Sequence, residues 1–327
     1  MNRAKVFINI AIFKTLVRSH TVATITLASW NVNSLKVRLP QLLDWLTNSA
    51  VDAIVLQETK LTDDQFPVDA IQEAGFDVVF TGQKTYNGVA LLTRRATMAT
   101  PTNVDLNLPG FPDEQKRLVA ATLTHLETNE TLRFVGGYFP NGMTPGSWKY
   151  LYKLDWLRAL RTYLQTSLKV YPRLVLGGDF NIAPTDLDVW NPESWKDGIF
   201  VSAPERQAFQ DLLALGFTDS YRHCHPNEPG YSWWDYRMKG FEKNHGLRID
   251  HLLVSDTLVP SLVEANIQTE LRGLAQPTAH APVVVQFNFY NQMRRSLTSP
   301  HALSRYFLHL VFQRICPTRK LEYIAIF

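Results

Sequence analysis

The sequence predicts an α/β fold built as one large domain, and three observations support this. Short, nearly uniformly apolar segments recur along the chain, as expected for strands that are buried on both faces of a sheet. Three longer segments carry apolar residues at helical spacing. No internal repeat or low-complexity linker divides residues 25–290. A stretch of about 265 residues is within the size that one α/β domain reaches.

The predicted strands and helices follow one another along this stretch. The strands cover residues 24–30, 53–57, 89–93, 119–126, 132–138, 174–178, 249–255 and 282–289. The helices cover residues 37–49, 147–169 and 204–215. Ser147 and Ser202 stand at the starts of the last two helices, where a serine oxygen accepts a hydrogen bond from a free backbone N–H. We therefore expect both serines to be N-caps.

Two basic extensions flank the predicted domain. Residues 1–24 hold four Lys or Arg and no acid, and residues 291–327 carry a net charge of +5. The first extension is predicted to be a disordered leader, with a weak signal peptide or a start codon assigned too far upstream as alternatives. The second is predicted to be a dispensable extension, with a short amphipathic helix on a partner or membrane surface as the alternative.

Charge and composition limit the class of protein. The whole chain has a net charge of +3, so the two basic extensions leave the domain between them at −6. A basic chain is therefore no evidence that the domain binds nucleic acid, and any DNA-binding face must be a local patch. An acidic body also suits a protein that gathers carboxylates around a divalent cation.

Cysteine usage and hydropathy point to the cytoplasm. Cys224 and Cys316 lie far apart, which predicts neither a disulfide framework nor a cysteine metal site. No segment approaches the roughly 20 apolar residues that a membrane helix needs. The sequence therefore predicts a cytoplasmic protein without a membrane partner.

Polar side chains gather at the ends of the predicted strands. An α/β protein builds its sites there because the rigid sheet fixes the position of each group. The polar residues at these ends are Asn31, Glu58, Tyr138, Asp179, Asn181, Asp250 and His280. Singly, most have ordinary explanations: Glu58 as a solvated loop residue, Asp179 and Asn181 as a turn and a helix cap. Asp250 is different, because a carboxylate inside an apolar strand is costly unless it is paired.

The set as a whole predicts phosphodiester hydrolysis. Oxygen ligands such as Glu58 and Asn31 suit Mg²⁺. Asp179 is the candidate base for the attacking water. Asp250 is expected to hold His280 and favour its charged form, which stabilises the charge of the transition state.

The same cluster supplies hydrogen-bond donors for a phosphate. Asn181 and Tyr138 carry an amide and a phenol that can donate to its oxygens. No phosphate-binding glycine loop, dinucleotide fingerprint, zinc spacing or nucleophile elbow competes with this prediction.

An ordered set of segments from about residue 24 to residue 289 resembles bacterial exonuclease III, of the endonuclease/exonuclease/phosphatase superfamily. The segments are SWNVNSL, IVLQETK, GQKTYNGVALLT, GYFPNG, GGDFNIAPTDLDVW, GYSWWDYRMKGFEKNHGLRIDHLLVS and AHAPVVV. The resemblance implies a four-layer sandwich, in which two facing mixed β-sheets are flanked by helices. It also implies 3′-to-5′ exonuclease, abasic-site endonuclease and 3′-phosphatase activities in DNA repair.

The resemblance assigns roles residue by residue. Asn31 and Glu58 match the metal site, with Mg²⁺ as the expected ion and Mn²⁺ as a substitute. The matches to the catalytic cluster are Tyr138, Asp179, Asn181, Asp250 and His280. Trp233, Leu247 and Ile249 match the apolar pocket for an extruded abasic sugar, with ordinary core packing as the alternative. The implied partner is double-stranded DNA at abasic sites and 3′ ends, bound by a monomer without a small-molecule cofactor.

Two positions depart from the family pattern. The family carries an aspartate directly before the histidine, whereas this chain has Ala279 before His280. Ala279 cannot ligate a cation, so we expect reduced or metal-shifted activity. Ser34 replaces a glycine that usually follows the first-strand asparagines. The alternatives are a nuclease-dead regulator that binds nucleic acid, which Ala279 favours, and a sugar- or lipid-phosphate phosphatase, which should lack the segment 233–237.

Overall fold

The computed structural model describes residues 22–290 of the chain. Within it, Thr24–Asn288 forms one compact unit. Residues 1–21 and 291–327, which make up most of the two predicted extensions, lie outside the described residues. The first strand begins at Val22, so the last residues of the predicted leader already belong to the sheet.

The strands have the following bounds. They are β1 (Val22–Asn31), β2 (Ala53–Gln57), β3 (Phe76–Thr81), β4 (Val89–Arg94), β5 (Thr102–Leu106), β6 (Leu118–Thr124), β7 (Thr131–Tyr138), β8 (Leu174–Asp179), β9 (Phe217–Asp219), β10 (Trp233–Trp234), β11 (Gly246–Leu247), β12 (Asp250–Ser255), β13 (Leu262–Ile267) and β14 (Val283–Tyr290).

These strands form two mixed six-stranded sheets and one short ribbon. The first sheet has the order β13-β14-β1-β2-β4-β3, and the second has the order β5-β6-β7-β8-β12-β9. β1 and β2 are parallel, as are β7 and β8, whereas the other pairs with recorded registers are antiparallel. β10 and β11 pair separately as an antiparallel ribbon.

The helices cover the outer faces of the sheets. They are α1 (Leu35–Asn48), α2 (Val68–Glu73), α3 (Trp148–Val170), α4 (Pro192–Trp195), α5 (Ala203–Leu213) and α6 (Ser220–Cys224). α1 and α2 bury Leu42 and Ile71 against the first sheet, whereas α3 and α5 bury Leu160 and Phe209 against the second. The result is helix, sheet, sheet, helix, which confirms the predicted four-layer α/β sandwich.

Glycines in β7 and β8 let the two sheets approach closely. A Cβ added at Gly136 would meet the side chain of Val55, in β2 of the other sheet, at 2.5 Å. A Cβ added at Gly177 would meet Leu252 at 2.7 Å and Val55 at 3.4 Å. Because no side chain fits in these positions, β7 and β8 pack closely against β2 of the other sheet.

The predicted helices and their caps are confirmed within two residues at each end. The oxygen of Ser147 accepts a hydrogen bond from the backbone N–H of Tyr150 at 3.2 Å. Ser202 and Glu205 form a reciprocal capping box at the start of α5. Among the described residues, no helix is long and apolar enough to cross a membrane.

Candidate active site

The seven polar residues predicted at strand ends come together where the two sheets meet. Asn31 is the last residue of β1 and lies opposite Gln57 in the parallel register with β2. Glu58 directly follows Gln57 and therefore lies one position beyond Asn31. In the second sheet, Asp179 lies opposite both Tyr138 and Asp250. The sheet registers therefore place groups that are distant in sequence side by side.

Asn31 joins the carboxylates of the two sheets. Its side-chain nitrogen donates to Oε1 of Glu58 at 2.8 Å and to Oδ2 of Asp179 at 2.9 Å. Its oxygen accepts a hydrogen bond from the backbone N–H of Asn33 at 3.0 Å. In this arrangement Asn31 positions the two carboxylates, and its oxygen faces its own loop instead of the space between them.

Lys60 neutralises Glu58 from the loop side. Its ammonium lies 2.9 Å from Oε2 of Glu58 and donates to Oδ1 of Asn33 at 2.5 Å. Burial raises the pKa of Glu58, but the charge of Lys60 and the hydrogen bond from Asn31 outweigh it and lower the pKa below its usual value. Glu58 is therefore an ionised carboxylate. Its φ of 53° turns the chain sharply after β2.

Asp250 and His280 form the predicted pair. Nδ1 of His280 lies 2.9 and 3.1 Å from the two oxygens of Asp250. Ser232 donates to Asp250 at 2.7 Å and accepts from the backbone N–H of Ile249 and of Asp250. Burial lowers the pKa of His280, but Asp250 and Asp179 outweigh it and raise the pKa above its usual range. The imidazole is therefore held in its cationic form.

Asp179 lies at the centre of the cluster. Its Oδ2 lies 3.8 Å from Nε2 of His280, and its Oδ1 accepts from the backbone N–H of Asn181 at 2.9 Å. Burial raises the pKa of Asp179; cationic His280 opposes the rise, and the carboxylates of Asp250 and Glu58 add to it. The raised pKa makes Asp179 a stronger base than an ordinary aspartate.

Asn181 is held in a left-handed conformation directly after Asp179. Its φ is 51°, which an asparagine tolerates better than most residues. Its side-chain nitrogen donates to the backbone oxygen of Phe139 at 3.0 Å, and its oxygen accepts from Asn141 at 3.3 Å. One hydrogen of the amide is therefore used within the protein, which leaves the other as a donor.

A buried ion pair stabilises the loop that carries Asn181. The ammonium of Lys153, in α3, donates to the backbone oxygen of Asn181 at 2.7 Å and is paired with the carboxylate of Glu205. Both side chains are fully buried. Burial of both charges costs desolvation free energy, which offsets the attraction between them. The role of the pair here is therefore to fix the loop that carries Asn181.

Tyr138 keeps its phenolic proton. Burial raises its pKa well above the usual range, and the neighbouring carboxylates of Glu58 and Asp179 add to the rise. The guanidinium of Arg117 lies 5.1 Å from the centre of its ring and donates to its backbone oxygen at 3.2 Å. Tyr138 is therefore a hydrogen-bond donor near the carboxylates.

Ala279 is buried next to His280. It is 7% exposed, and its backbone oxygen accepts from the N–H of Trp234 at 3.0 Å. The neighbouring Thr278 donates to the backbone oxygen of Asn31 at 2.8 Å. The segment that carries His280 is thus held by the backbone of Ala279 and the hydroxyl of Thr278, and the Ala279 side chain adds no ligand.

Trp233, Leu247 and Ile249 do lie together, on and beside the β10–β11 ribbon. Leu247 and Ile249 are fully buried in an apolar cluster with Phe200 and Val201, whereas Trp233 is only half-buried. The rings of Trp233 and Phe200 meet edge to face at 6.2 Å. Only Trp233 of the three therefore presents its surface outside the core.

The cluster fits a divalent cation. One ligand atom each from Glu58, Asp179 and His280 lies within 4.8 Å of the others. Two carboxylate oxygens are hard donors, which suit Mg²⁺ or Mn²⁺. A bound cation would also offset the negative charge of Asp179, Asp250 and Glu58, which act on one another here. Residues 22–290 thus contain a candidate acidic metal site.

Some supporting residues were missed by the sequence analysis. Ser232 and Asn141 lie in loops, where their residue types are common and carry no signal. Lys153 did carry a signal, because it shares the buried face of α3 with Leu157 and Leu160. A lysine on an apolar helical stripe predicts a buried partner.

Comparison with known proteins agrees with this fold. Residues 28–278 match the Endonuclease/Exonuclease/phosphatase family, and the chain belongs to that family. It is 36% identical to exodeoxyribonuclease III of Haemophilus influenzae over 79% of this chain and 98% of that protein.

Solved structures give the same result. A 3′ phosphatase from Neisseria, solved with a product DNA hairpin, is 43% identical, with a TM-score of 0.77 over 81% of this chain and 100% of that one. An AP endonuclease from Archaeoglobus fulgidus is 34% identical, with a TM-score of 0.74 over 80% of this chain and 99% of that one. The predicted family and fold are confirmed.

Proposed function

We propose that this chain is a divalent-metal-dependent DNA repair nuclease that removes nucleotides from 3′ ends, cuts at abasic sites and hydrolyses 3′-phosphates. The observation that carries the proposal is the cluster at the meeting edge of the sheets. There Glu58 and Asp179 face a histidine that Asp250 holds in its charged form. The names of the relatives, an exodeoxyribonuclease, a 3′ phosphatase and an AP endonuclease, support DNA as the substrate.

The protein groups divide the work of hydrolysis. Asp179 accepts a proton from the attacking water, whose oxygen forms the new bond to phosphorus as the bond to the leaving oxygen breaks. Cationic His280 stabilises the negative charge that builds on the phosphoryl oxygens. Asn181 and Tyr138 donate hydrogen bonds to the same oxygens, because one keeps a free amide hydrogen and the other its phenolic proton.

Glu58 is the carboxylate that would hold the cation, with Asn31 setting its position relative to Asp179. We propose Mg²⁺ as the physiological ion, with Mn²⁺ as a substitute. When bound, it neutralises phosphoryl charge and stabilises the leaving oxygen. Glu58 would then exchange its contact with Lys60 for the cation.

The half-buried ring of Trp233, with Leu247 and Ile249 behind it, is the proposed contact for an extruded abasic sugar. We propose that the protein acts on duplex DNA as a monomer. Residues 25–290 are proposed to be the complete catalytic domain.

Incubation of the full chain with labelled duplex DNA tests the proposal. Three substrates are needed: one with a recessed 3′ end, one with an internal abasic site and one with a 3′-phosphate. We expect Mg²⁺-dependent hydrolysis that EDTA stops. Tight binding without hydrolysis, in Mg²⁺ and in Mn²⁺, would instead identify a nuclease-dead regulator, the alternative that Ala279 favours.

A further inference from the structure

A groove runs away from the catalytic cluster on the side of Tyr138. Its volume is about 400 Å³, within the range of about 300–1,000 Å³ that ligand clefts occupy. Tyr138 and Asn141 line the groove, and both also take part in the cluster, the first beside Glu58 and the second through Asn181. The groove is therefore continuous with the place where the phosphodiester is cut.

Three large apolar side chains are exposed around this groove. Trp148 is 72% exposed, Tyr86 is 68% exposed and Met143 is 62% exposed. None of these three side chains is part of the buried hydrophobic core. An apolar cluster of this kind on a surface marks a binding site, since it is otherwise unfavourable in water.

The charges of the groove suit a nucleic acid strand. Its lining includes Arg117 and Lys149 and contains no carboxylate. The ammonium of Lys149 lies 5.6 Å from the centre of the Trp148 ring. The helix α3 also begins at Trp148, so its positive N-terminal end faces the same region. Cations interleaved with aromatic rings are the pattern of single-strand binding.

We propose that this groove binds an unpaired nucleotide of the DNA strand that is being cut, with its base stacked on Trp148 and Tyr86. A base inside a duplex has both faces covered by its neighbours, whereas an unpaired base can turn a face to the indole. Lys149 contacts a neighbouring phosphate, and Arg117, which is buried and hydrogen-bonded within the protein, adds positive charge to the wall of the groove. The inference rests on the proposed function and adds a preference for DNA whose 3′ end is frayed, mismatched or single-stranded.

A binding measurement that varies the base and the protein together tests the stacking. The probe is a fluorescent duplex with three unpaired thymidines at its 3′ end, titrated in EDTA so that it stays intact. A second probe carries 5,6-dihydrothymidine at these positions, because its saturated ring has the same hydrogen-bonding groups and stacks poorly. Trp148→Ala should weaken binding to the thymidine probe by about 5- to 150-fold. It should leave binding to the dihydrothymidine probe unchanged.

Two variants control the measurement. Trp148→Phe keeps an aromatic face and should lose less affinity than Trp148→Ala. Leu151→Ala removes another exposed side chain of α3, 57% exposed and outside the groove, and should bind both probes like the wild type. Since Trp148 is exposed, its variants should unfold at the temperature of the wild type.

The outcomes separate the two proposals. Equal loss on both probes, or no loss on either, overturns the stacking site. Hydrolysis of fully paired DNA in Mg²⁺ is measured in parallel with the wild type. If the wild type fails to cut any DNA, the proposed function is wrong. If it cuts DNA while Trp148→Ala binds the thymidine probe normally, only the groove assignment is wrong.

Discussion

Glu58 takes its position from two neighbours and from its own backbone conformation. Asn31 holds one of its oxygens, Lys60 holds the other, and a left-handed backbone turns it toward Asp179. It is an ionised carboxylate within reach of a second one. We therefore assign Glu58 as the main ligand of the cation.

Glu58→Ala should abolish Mg²⁺-dependent cleavage and leave the protein folded. The side chain is partly exposed and adds little packing, so its loss removes charge from the cleft without opening the core. Asp69→Asn, which alters an exposed carboxylate on α2, is the matched control. Wild-type cleavage by Glu58→Ala in Mg²⁺, measured on abasic duplex DNA, would contradict the assignment.

Ala279→Asp should let the protein work at lower Mg²⁺ concentration. A new carboxylate beside His280 adds negative charge near the cation and stabilises the charged imidazole. We expect a decrease of about tenfold in the Mg²⁺ concentration for half-maximal cleavage, a modest part of what one charge contributes at about 4 Å. Ala279→Ser adds bulk without charge and serves as the control. An unchanged or higher Mg²⁺ requirement would refute the idea that Ala279 weakens the metal site.

At the scale of elements, a buried ionic network joins β12 to the loop that carries the catalytic residues. Arg248, fully buried, donates to Asp188 at 2.7 Å and to Asp219 at 2.8 and 3.0 Å. It also donates to Nδ1 of His251 at 3.0 Å, while Nε2 of His251 lies 2.9 Å from the backbone oxygen of Ile182. One ring nitrogen must accept and the other must donate, so His251 is neutral in the folded protein.

The neutral histidine predicts how stability depends on pH. Burial and the charge of Arg248 lower the pKa of His251 to about 4. Below about pH 6.5, His251 binds a proton in the unfolded chain but stays neutral in the folded protein. The free energy of unfolding therefore falls as the pH decreases from 6.5 toward 4. The contribution of this one group approaches about 1.4 kcal/mol per pH unit.

His251→Gln should remove this part of the pH dependence. The free energy of unfolding, measured with denaturant at several pH values between 4 and 7, should fall less steeply with acid than for the wild type. His223→Gln changes an exposed histidine on α6 and should keep the wild-type dependence. Identical slopes for His251→Gln and the wild type would show that the imidazole is not held neutral.

Most of the strands that the sequence failed to predict lie at the edge of a sheet. β3, β13, β5 and β9 are the edge strands of the two large sheets, and the ribbon β10–β11 stands apart. β5 is almost entirely exposed and β13 mostly so, because an edge strand has a neighbour on one side only. The apolar signal of β5 and β13 is weak, whereas β2 is buried at every position and was predicted at its true bounds. β3, with the sequence FDVVFT, carried an apolar signal and was still missed.

The catalytic cluster was predictable for the opposite reason. Its residues interrupt apolar strands at their ends, which makes them visible against a uniform background. The partners that hold them, such as Ser232 and Lys153, act through contacts between distant loops and helices. Those contacts exist only once the two sheets have packed, so the sequence pattern did not indicate the contact of Ser232; it did indicate a buried partner for Lys153, which lies on the apolar face of α3.

At the scale of the whole molecule, the described residues hold two six-stranded sheets with helices on their outer faces. Both sheets and their covering helices lie between Val22 and Tyr290. A protein of residues 25–290 should therefore fold and cut DNA. Because β1 begins at Val22, residues 22–290 are the control that keeps this strand whole. An inactive or insoluble 22–290 protein, beside an active full chain, would show that the extensions are structural.

The basic extensions should affect DNA affinity through salt. Residues 1–24 and 291–327 together carry ten Lys or Arg, and each phosphate contact releases a counterion. We expect the full chain to lose affinity for duplex DNA more steeply with salt than residues 22–290 do. Equal slopes in a plot of log Kd against log salt concentration would show that the extensions do not touch the DNA.

The central claim is that the cluster around Asp179 hydrolyses DNA with a divalent cation, and one measurement tests it most directly. The full chain and its Asp179→Asn variant are incubated with duplex DNA that has a recessed 3′ end and an abasic site, in Mg²⁺ and in EDTA. Loss of the general base should slow hydrolysis by about 10²- to 10⁴-fold while DNA binding persists. The wild type should cut in Mg²⁺ and stop in EDTA. Intact DNA with the wild type in both Mg²⁺ and Mn²⁺, or undiminished cleavage by Asp179→Asn, would contradict the account.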